Sequence, residues 1–442
     1  MHMLPPRPGQ APIVPAPGLD LSAPGQTLAL RLLKALDPDR WPIPVADLPA
    51  GTAVVGGAVR DALLGRLAPR PDLDLVVAAD AVALARSLAR RRGGSVVVLD
   101  PERSIARLVL QGWTIDLARR MGSWPDGDLL RRDFSANAIA LELTADHGAP
   151  ILRDPAGGLA DLAAGQLRAL AEGNLLEDPL RLLRGVRLAS ELGFRIESRS
   201  WNWILQHHRH LGDVAGERVL AELERLAVAP AGGQGLALVL EARLLAAWGL
   251  EGGAEQGALG ATLAELTMEN ATVRGLSAAE AATAVPLARL AVLLERRQLE
   301  RLRASRRLQQ SCGRLRHWWL RLAAEGGDPE RLGESERLTL QRELEGELPA
   351  LSLLTAPAWS RDALRRWRDA DDPLFHPRSP LDGAALQRAL GLAPGRQLGA
   401  LLDHLCRERA FGRLPRRPEV DDLQTLTAAG QWLAGGADAR HG

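Results

Sequence analysis

Val54-Val55-Gly56-Gly57-Ala58-Val59-Arg60-Asp61, followed about ten residues on by Pro71-Asp72-Leu73-Asp74-Leu75-Val76, is the stretch whose reading decides the fold. A strand-like TAVV runs through two glycines into a helix-like AVRDALLG, and LDLVV reads as the next strand. Without a Cβ, Gly56 and Gly57 let backbone N–H groups approach a phosphate at the helix N-terminus, although a plain tight turn needs the same residues. On a strand, residues i and i+2 face the same side, so Asp72 and Asp74 meet one site. Two like charges side by side are costly unless a cation lies between them. Hard divalent ions such as Mg²⁺ take oxygen ligands of this kind and bridge them to substrate phosphates. A solvated strand edge would carry the same pair. Asp116, in the later strand-like WTIDL, offers a third carboxylate.

Outward from this stretch the pattern is mixed. TLALRLLKAL and AVALARSLARR are helix-like, while SVVVL, ARLVL and WTIDL are three β-rich runs with short polar or Gly breaks. After Asn174 the character changes, and beyond residue 230 only helical patterns remain, broken by Gly-rich joints such as PAGGQG and EGGAEQG. The expected fold is therefore α+β, a mixed-sheet head followed by an all-helical remainder. The 442 residues suit several domains. The boundaries expected are a Pro-rich, disordered tail over 1–26, a head over 27–170, a helical neck over 171–230, and a helical body and tail over 231–442.

Composition narrows the class. Net charge is +1, so no global field announces a nucleic-acid partner, and any such partner must be held by local basic patches. Lys34 is the only lysine and tyrosine is absent, which reads as genome bias. Cys312 and Cys406 stand far apart, suggesting neither a disulfide framework nor a zinc site. No stretch is long and apolar enough to span a membrane, and the start lacks a signal-peptide pattern. A cytoplasmic protein is expected.

Three further segments carry chemistry. Asp128-Leu-Leu-Arg131-Arg132-Asp133-Phe134-Ser135-Ala136-Asn137-Ala138 offers planar guanidiniums for phosphates and an amide that both donates and accepts. A solvated helix start with local ion pairs would look similar. Arg153-Asp154-Pro155-Ala156-Gly157-Gly158 reads as a hinge loop entering a short helix. In Glu177-Asp178-Pro179-Leu180-Arg181-Leu182-Leu183-Arg184-Gly185-Val186-Arg187, Asp178 suits an N-cap and Pro179 the first helical position, with Arg181, Arg184 and Arg187 at helical spacing. From Arg289 to Arg321 a run of arginines with few acids forms a helical basic stripe that suits an RNA backbone or bare solvent. His207, His208 and His210 read as a surface helix end rather than a metal site.

Taken in order, these motifs resemble those of the polymerase-β-like nucleotidyltransferases, and more narrowly the bacterial class II tRNA nucleotidyltransferase and poly(A) polymerase family. The resemblance is strong over roughly residues 50–226 and thin near 381–400. It implies a metal-dependent nucleotidyltransferase head, with neck, body and tail holding tRNA. Asp72 and Asp74 would be the Mg²⁺ ligands and, with Asp116, the catalytic carboxylates. Gly56, Gly57 and Arg60 would hold the triphosphate, and Arg132, Asp133 and Asn137 the sugar and phosphates. Asp178 and Arg181, with Arg184 beside them, would read the base. A carboxylate accepting from an exocyclic amine and an arginine donating to a ring nitrogen suit C and A alike and leave U and G unmatched.

The implied reaction is attack by an RNA 3′-hydroxyl on the α-phosphate of CTP or ATP, with neither membrane nor DNA involved. Only about fifteen residues separate Asp116 from Arg131. Relatives that add all of CCA usually carry a longer loop there, so addition of CC alone is open. A poly(A) polymerase is the second enzymatic reading, and a non-catalytic RNA-binding protein the alternative of another class.

Overall fold

The computed structural model describes residues 18–122, 124–144, 149–250, 254–416 and 423–435. Most of the expected Pro-rich tail, residues 1–17, lies outside them. The chain divides into two compact units, residues 1–214 with 241–251, and residues 215–240 with 252–442.

The first unit holds a seven-stranded sheet in the order β3-β4-β5-β2-β1-β6-β7. Its strands are β1 (Ala53–Val55), β2 (Leu73–Val77), β3 (Ser95–Asp100), β4 (Ile105–Leu110), β5 (Trp113–Arg119), β6 (Ala140–Glu142) and β7 (Ile151–Arg153). Among the described strands of this sheet, β2 and β5 are the parallel pair and all other neighbours run antiparallel. The expected strands of the head are present, while β6 and β7 were not anticipated; they extend the sheet beyond β1.

Helix α1 is Gly25–Leu36 and α2 is Gly57–Leu63. Helix α3 (Ala81–Arg92) is capped by the Asp80 carboxylate, which accepts from Val82 N and Ala83 N. It buries Ala81, Ala85 and Leu88 on one stripe, as its i, i+4, i+7 spacing requires. Alternation fixes the sheet faces: Leu73, Leu75, Ile115, Leu117, Ala106 and Leu108 are buried, whereas Asp74, Asp116 and Arg107 at the intervening positions look the other way. Past Asp74 that second face closes over an apolar cluster of Ala53, Val55, Val76, Leu129, Ala138 and Ala140, with Trp124 against it.

Helices α4 (Asp126–Leu129), α5 (Gly158–Ala163), α6 (Glu172–Glu177), α7 (Leu180–Leu192) and α8 (Ser198–His207) complete the part of this unit that bears on the site. Gly185 lets α7 approach the head closely, because a Cβ there would lie 2.8 Å from Cζ of the fully buried Phe134. Residues His207 and His208 end α8 as a helix terminus, with His207 paired to Glu172.

The second unit is helical throughout its described residues, from α9 (Gly216–Val228) through α10 (Gly232–Glu241), α11 (Ala254–Glu265), α12 (Met268–Val273), α13 (Ala278–Leu293), α14 (Arg296–Arg301) and α15 (Arg306–Ala323) to α21 (Leu423–Ala434). Between them lie α16 (Glu334–Leu344), α17 (Leu348–Ser352), α18 (Pro357–Trp367), α19 (Gly383–Leu390) and α20 (Arg396–Ala410). The last three helices share a separate core of Leu381, Leu386, Leu398, Leu401, Leu405, Leu414 and Ala429. Cys312 and Cys406 are buried free thiols, the first pushed up to about 12 by burial and by the nearby Glu347. Among the described residues no helix is long and apolar enough to cross a membrane.

The basic stripe expected over Arg289–Arg321 is interrupted at Arg289, Arg314, Arg316 and Arg321, whereas Arg296, Arg297, Arg301, Arg303, Arg306 and Arg307 are exposed. Arg289 is 1% exposed and donates to the carbonyls of Ala227, Ala229 and Leu266, closing the end of α9. Burial lowers its pKa to about 10. Arg314 pairs with Glu347, Arg316 with Glu295, and Arg321 with Glu325 and Glu336. Helical spacing placed these side chains in a row, but apart from Glu325, four residues after Arg321, their partners come from other parts of the helical unit.

Candidate active site

Gly56 stands between β1 and α2 at φ 74° and ψ −138°, a conformation that essentially only glycine adopts. A Cβ on it would lie 2.6 Å from Asp74 Oδ2 and 3.5 Å from Arg132 Nη1. The glycine therefore clears the space in which a carboxylate and a guanidinium come together.

Register builds the acidic row. Asp74 pairs with Asp116 across β2–β5, and Asp116 with Arg107 across β4–β5, so the three side chains lie abreast on one face. Asp72 is exposed and precedes the first residue of β2. Its charge still acts on Asp74 and on Arg107. Burial pushes the Asp74 carboxyl above its ordinary range, and the Asp116 and Asp72 carboxylates push it further, against Arg132 and Arg184. Arg107 Nε and Nη2 donate to the two Asp116 oxygens at 2.8 and 2.9 Å, which raises the arginine's pKa. Sequence reasoning put Asp116 in the site and passed over this partner.

A divalent cation fits this donor set. Its oxygens are hard, and a carboxylate that burial makes costly to ionise, with Asp116 and Asp72 nearby, is one whose charged form a cation stabilises. Among the described residues no group of three or more His, Cys, Asp or Glu side chains is placed to hold a metal. A site of one or two carboxylates, with substrate phosphates supplying the other ligands, is a mode in which hard divalent ions bind.

Beside the row stands the segment 128–138. Arg132 forms a 3.6 Å ion pair with Asp128, and its buried Nε has no hydrogen-bond partner among the described residues. The Arg132 guanidinium acts on Asp74 as a positive charge, while its Nε is closed off from solvent. Asp133 is buried and accepts from Phe134 N at 2.8 Å and from Asn137 Nδ2 at 3.1 Å, with Arg184 Nε at 3.1 Å. Burial, the largest influence, pushes this carboxyl up; Arg184, Asn137, the Phe134 amide and Arg181 together outweigh it and hold it below its ordinary range.

Arg60 is engaged within the protein. It is buried, gives Nε and Nη2 to Asp61 at 3.0 Å each, and gives Nη1 to Asn137 Oδ1 at 2.6 Å. It thereby holds the Asn137 amide, with its guanidinium beside Gly57. Ser135 Oγ donates to Asp161 at 2.6 Å, and Asp154 accepts from Gly158 N and Leu159 N, so the Asp-Pro-Ala-Gly-Gly segment closes as a capped turn against the site.

On the neck, the hydrogen-bonded helix α7 begins at Leu180, one residue later than the expected start at Pro179. Asp178 still acts as a cap, accepting from Leu180 N at 3.3 Å. Arg181 Nη1 donates to Asn174 O at 2.6 Å, and Arg184 reaches Asp133, while Arg187 turns inward to Glu191 and leaves the shared face. Glu177 gathers Arg103, Arg131 and Arg181 at 3.2, 3.5 and 3.7 Å. Neither Glu177 nor Asn174 was among the expected site residues.

The short segment after β5 is pinned. Arg120 donates to Gly51 O and lies 5.0 Å over the Trp124 ring, whose Nε1 donates to Glu142 at 3.3 Å.

The candidate site is thus a strand–Gly-Gly–helix turn beside an acidic row, on a mixed sheet followed by helices. Residues 52–168 match the family described as the poly A polymerase head domain, and residues 193–248 the probable RNA and SrmB-binding site of polymerase A. The CC-adding tRNA nucleotidyltransferase of Synechocystis is 41% identical over 207 residues, 47% of this chain and 49% of that protein. The A-adding tRNA nucleotidyltransferase of Halalkalibacterium halodurans is 35% identical over 192 residues, 39% of this chain and 44% of that protein. The Thermotoga maritima CCA-adding enzyme, solved in complex with tRNA, shares the fold with a TM-score of 0.66 at 22% identity, over 92% of this chain and 94% of that one. Over residues 52–168 the chain is thus similar to the poly A polymerase head, and over less than half of its length to CC-adding and A-adding tRNA nucleotidyltransferases. It spans about half the length of the curated relatives it matches.

Proposed function

We propose that this chain adds nucleotides to the 3′ end of tRNA, taking CMP from CTP and stopping after CC, with Mg²⁺ as the metal. The observation that carries the reading is the row of Asp74 and Asp116 under Arg132, with Asp72 at its edge and Gly56 clearing the space beside it. When bound, Mg²⁺ on Asp72 and Asp74 would supply charge neutralisation for the phosphates and activation of the attacking hydroxyl. Asp116 completes the acidic row, oriented by Arg107. Gly56 leaves room for the triphosphate beside Asp74, and the Arg132 guanidinium supplies a positive charge for it. Arg60 fixes the Asn137 amide and Arg184 the Asp133 carboxylate, which together hold the ribose and phosphates.

Asp178 and Arg181 read the base. Arg181 donates by Nη1 alone among the described residues, leaving Nε and Nη2 for a ring nitrogen. The stop after CC is supported by the short, pinned segment between Asp116 and Arg131, anchored through Arg120 and Trp124, and by CC-adding relatives such as that of Synechocystis.

The test is primer extension on a tRNA lacking its CCA end, with Mg²⁺ and CTP, ATP or both. Addition of two C residues and a halt is the expected result. Completion to CCA would remove the CC-only part, and long A tails on generic RNA would move the reading to a poly(A) polymerase. No extension, with Asp72→Ala and Asp74→Ala identical to the parent, would leave a non-catalytic RNA-binding protein.

A further inference from the structure

Asn174, on α6, meets the two halves of the site at once. Its Nδ2 donates to the carbonyl of Leu130 at 2.8 Å and to that of Arg132 at 2.7 Å. Its own carbonyl accepts from Arg181 Nη1 at 2.6 Å. One residue therefore grips the backbone that presents Arg132 beside Asp74 and, with its main chain, the guanidinium assigned to the base. The Glu177 carboxylate stands 3.7 Å from Arg181 and is shared with Arg103 and Arg131, so it constrains Arg181 less.

We propose that Asn174 is a positioning residue that sets the distance between the phosphate-holding Arg132 and the base-reading Arg181, and thereby the discrimination of cytosine from uracil. The inference rests on the functional reading above. The physical reason is that discrimination comes from unmatched hydrogen-bonding groups, which penalise the wrong base only when the reading group cannot shift to accommodate it. A guanidinium fixed to the segment that holds the triphosphate cannot follow the base independently. Released from that segment, it can re-aim by a few tenths of an ångström and tolerate a carbonyl beside a ring N–H. An amide is suited to the task because its two N–H groups serve two carbonyls from one atom.

The test uses the full chain and a tRNA lacking its CCA end, with kcat and KM measured for CTP and for UTP separately and thermal unfolding alongside. Asn174→Ala removes both side-chain donors and should lower the CTP-over-UTP ratio of kcat/KM about tenfold, the scale of two neutral hydrogen bonds. Asn174→Asp keeps the shape and turns a carboxylate toward two carbonyls, so its ratio should fall at least as far. Asn174→Ser, which keeps one donor and the helix, should lie between parent and Ala and serves if either other variant fails to fold. Ratios within twofold of the parent, or equal losses for both nucleotides that track a lower Tm, would overturn the inference and leave the functional reading standing. A parent protein that adds no nucleotide overturns the functional reading and this inference with it.

Discussion

Replacing Gly56 by alanine tests the geometry of the acidic row more sharply than removing a carboxylate. The added Cβ would stand 2.6 Å from Asp74 Oδ2, against the roughly 3.4 Å of ordinary contact, so the carboxylate must retreat by about 0.8 Å. The backbone at φ 74° and ψ −138° adds strain of about 1–3 kcal/mol for any residue with a side chain. Stability should fall by that amount, while the rate of nucleotide addition should fall about a hundredfold, since a shift near 1 Å in a reacting group costs on that order. Gly57→Ala is the internal control: Gly57 is helical and its added Cβ would meet Arg60 Nη2 at an ordinary 3.6 Å. The assay pairs thermal unfolding with single-turnover extension for both variants. Refutation would be a Gly56→Ala protein as active and as stable as the parent, or one whose loss is matched by Gly57→Ala.

Three other outcomes are expected. Arg289→Ala strips the donors from the carbonyls of Ala227, Ala229 and Leu266 and opens a cavity, so the helical unit should lose about 3 kcal/mol in urea unfolding. Gly185→Ala gains about 1 kcal/mol of helix propensity but drives a methyl to 2.8 Å from Phe134 Cζ; overpacking of about 1–3 kcal/mol wins, and the Tm should fall. Glu280 bonds Arg368 and closes the capping box of α13 with Ser277, and its carboxyl is lowered from 4.5 to about 2. Because the folded-state value is depressed, its contribution is full above pH 4.5 and is lost as pH falls through about 2. The Tm gap between the parent and Glu280→Gln should therefore narrow over that interval.

Much of the head was legible because its signals are local. The alternation of LDLVV and WTIDL placed Asp74 and Asp116 on the face opposite the buried Leu and Ile positions. Strands β6 and β7 were missed because each has three residues, too few for alternation to register, and they exist by pairing outward from β1. Arg107 left a signal that went unread. Gln111 and Gly112, at φ 52° and 79°, make a two-residue turn that sets Leu110 opposite Trp113, and counting back from it puts Arg107 opposite Asp116. The partners of Asn174 left none, since contacts to carbonyls 42 and 44 residues away follow from tertiary packing. Arg289 misled for the same reason: helical spacing says which side a residue lies on and not what covers that side.

The parallel pairing of β2 with β5 also orders events in time. Between Val77 and Trp113 the chain must build α3, β3 and β4 before β5 can lie against β2. A two-residue hairpin such as β4–β5 closes in roughly microseconds, whereas pairing across a long crossover waits on loop closure. Asp116 is thus expected to meet Arg107 before it meets Asp74, so that during folding the negative row assembles with its counter-charge already in place. Pulse-labelled amide exchange would register this as protection of the β4–β5 ladder ahead of β2–β5, and the reverse order would mean that the carboxylates come together unaided.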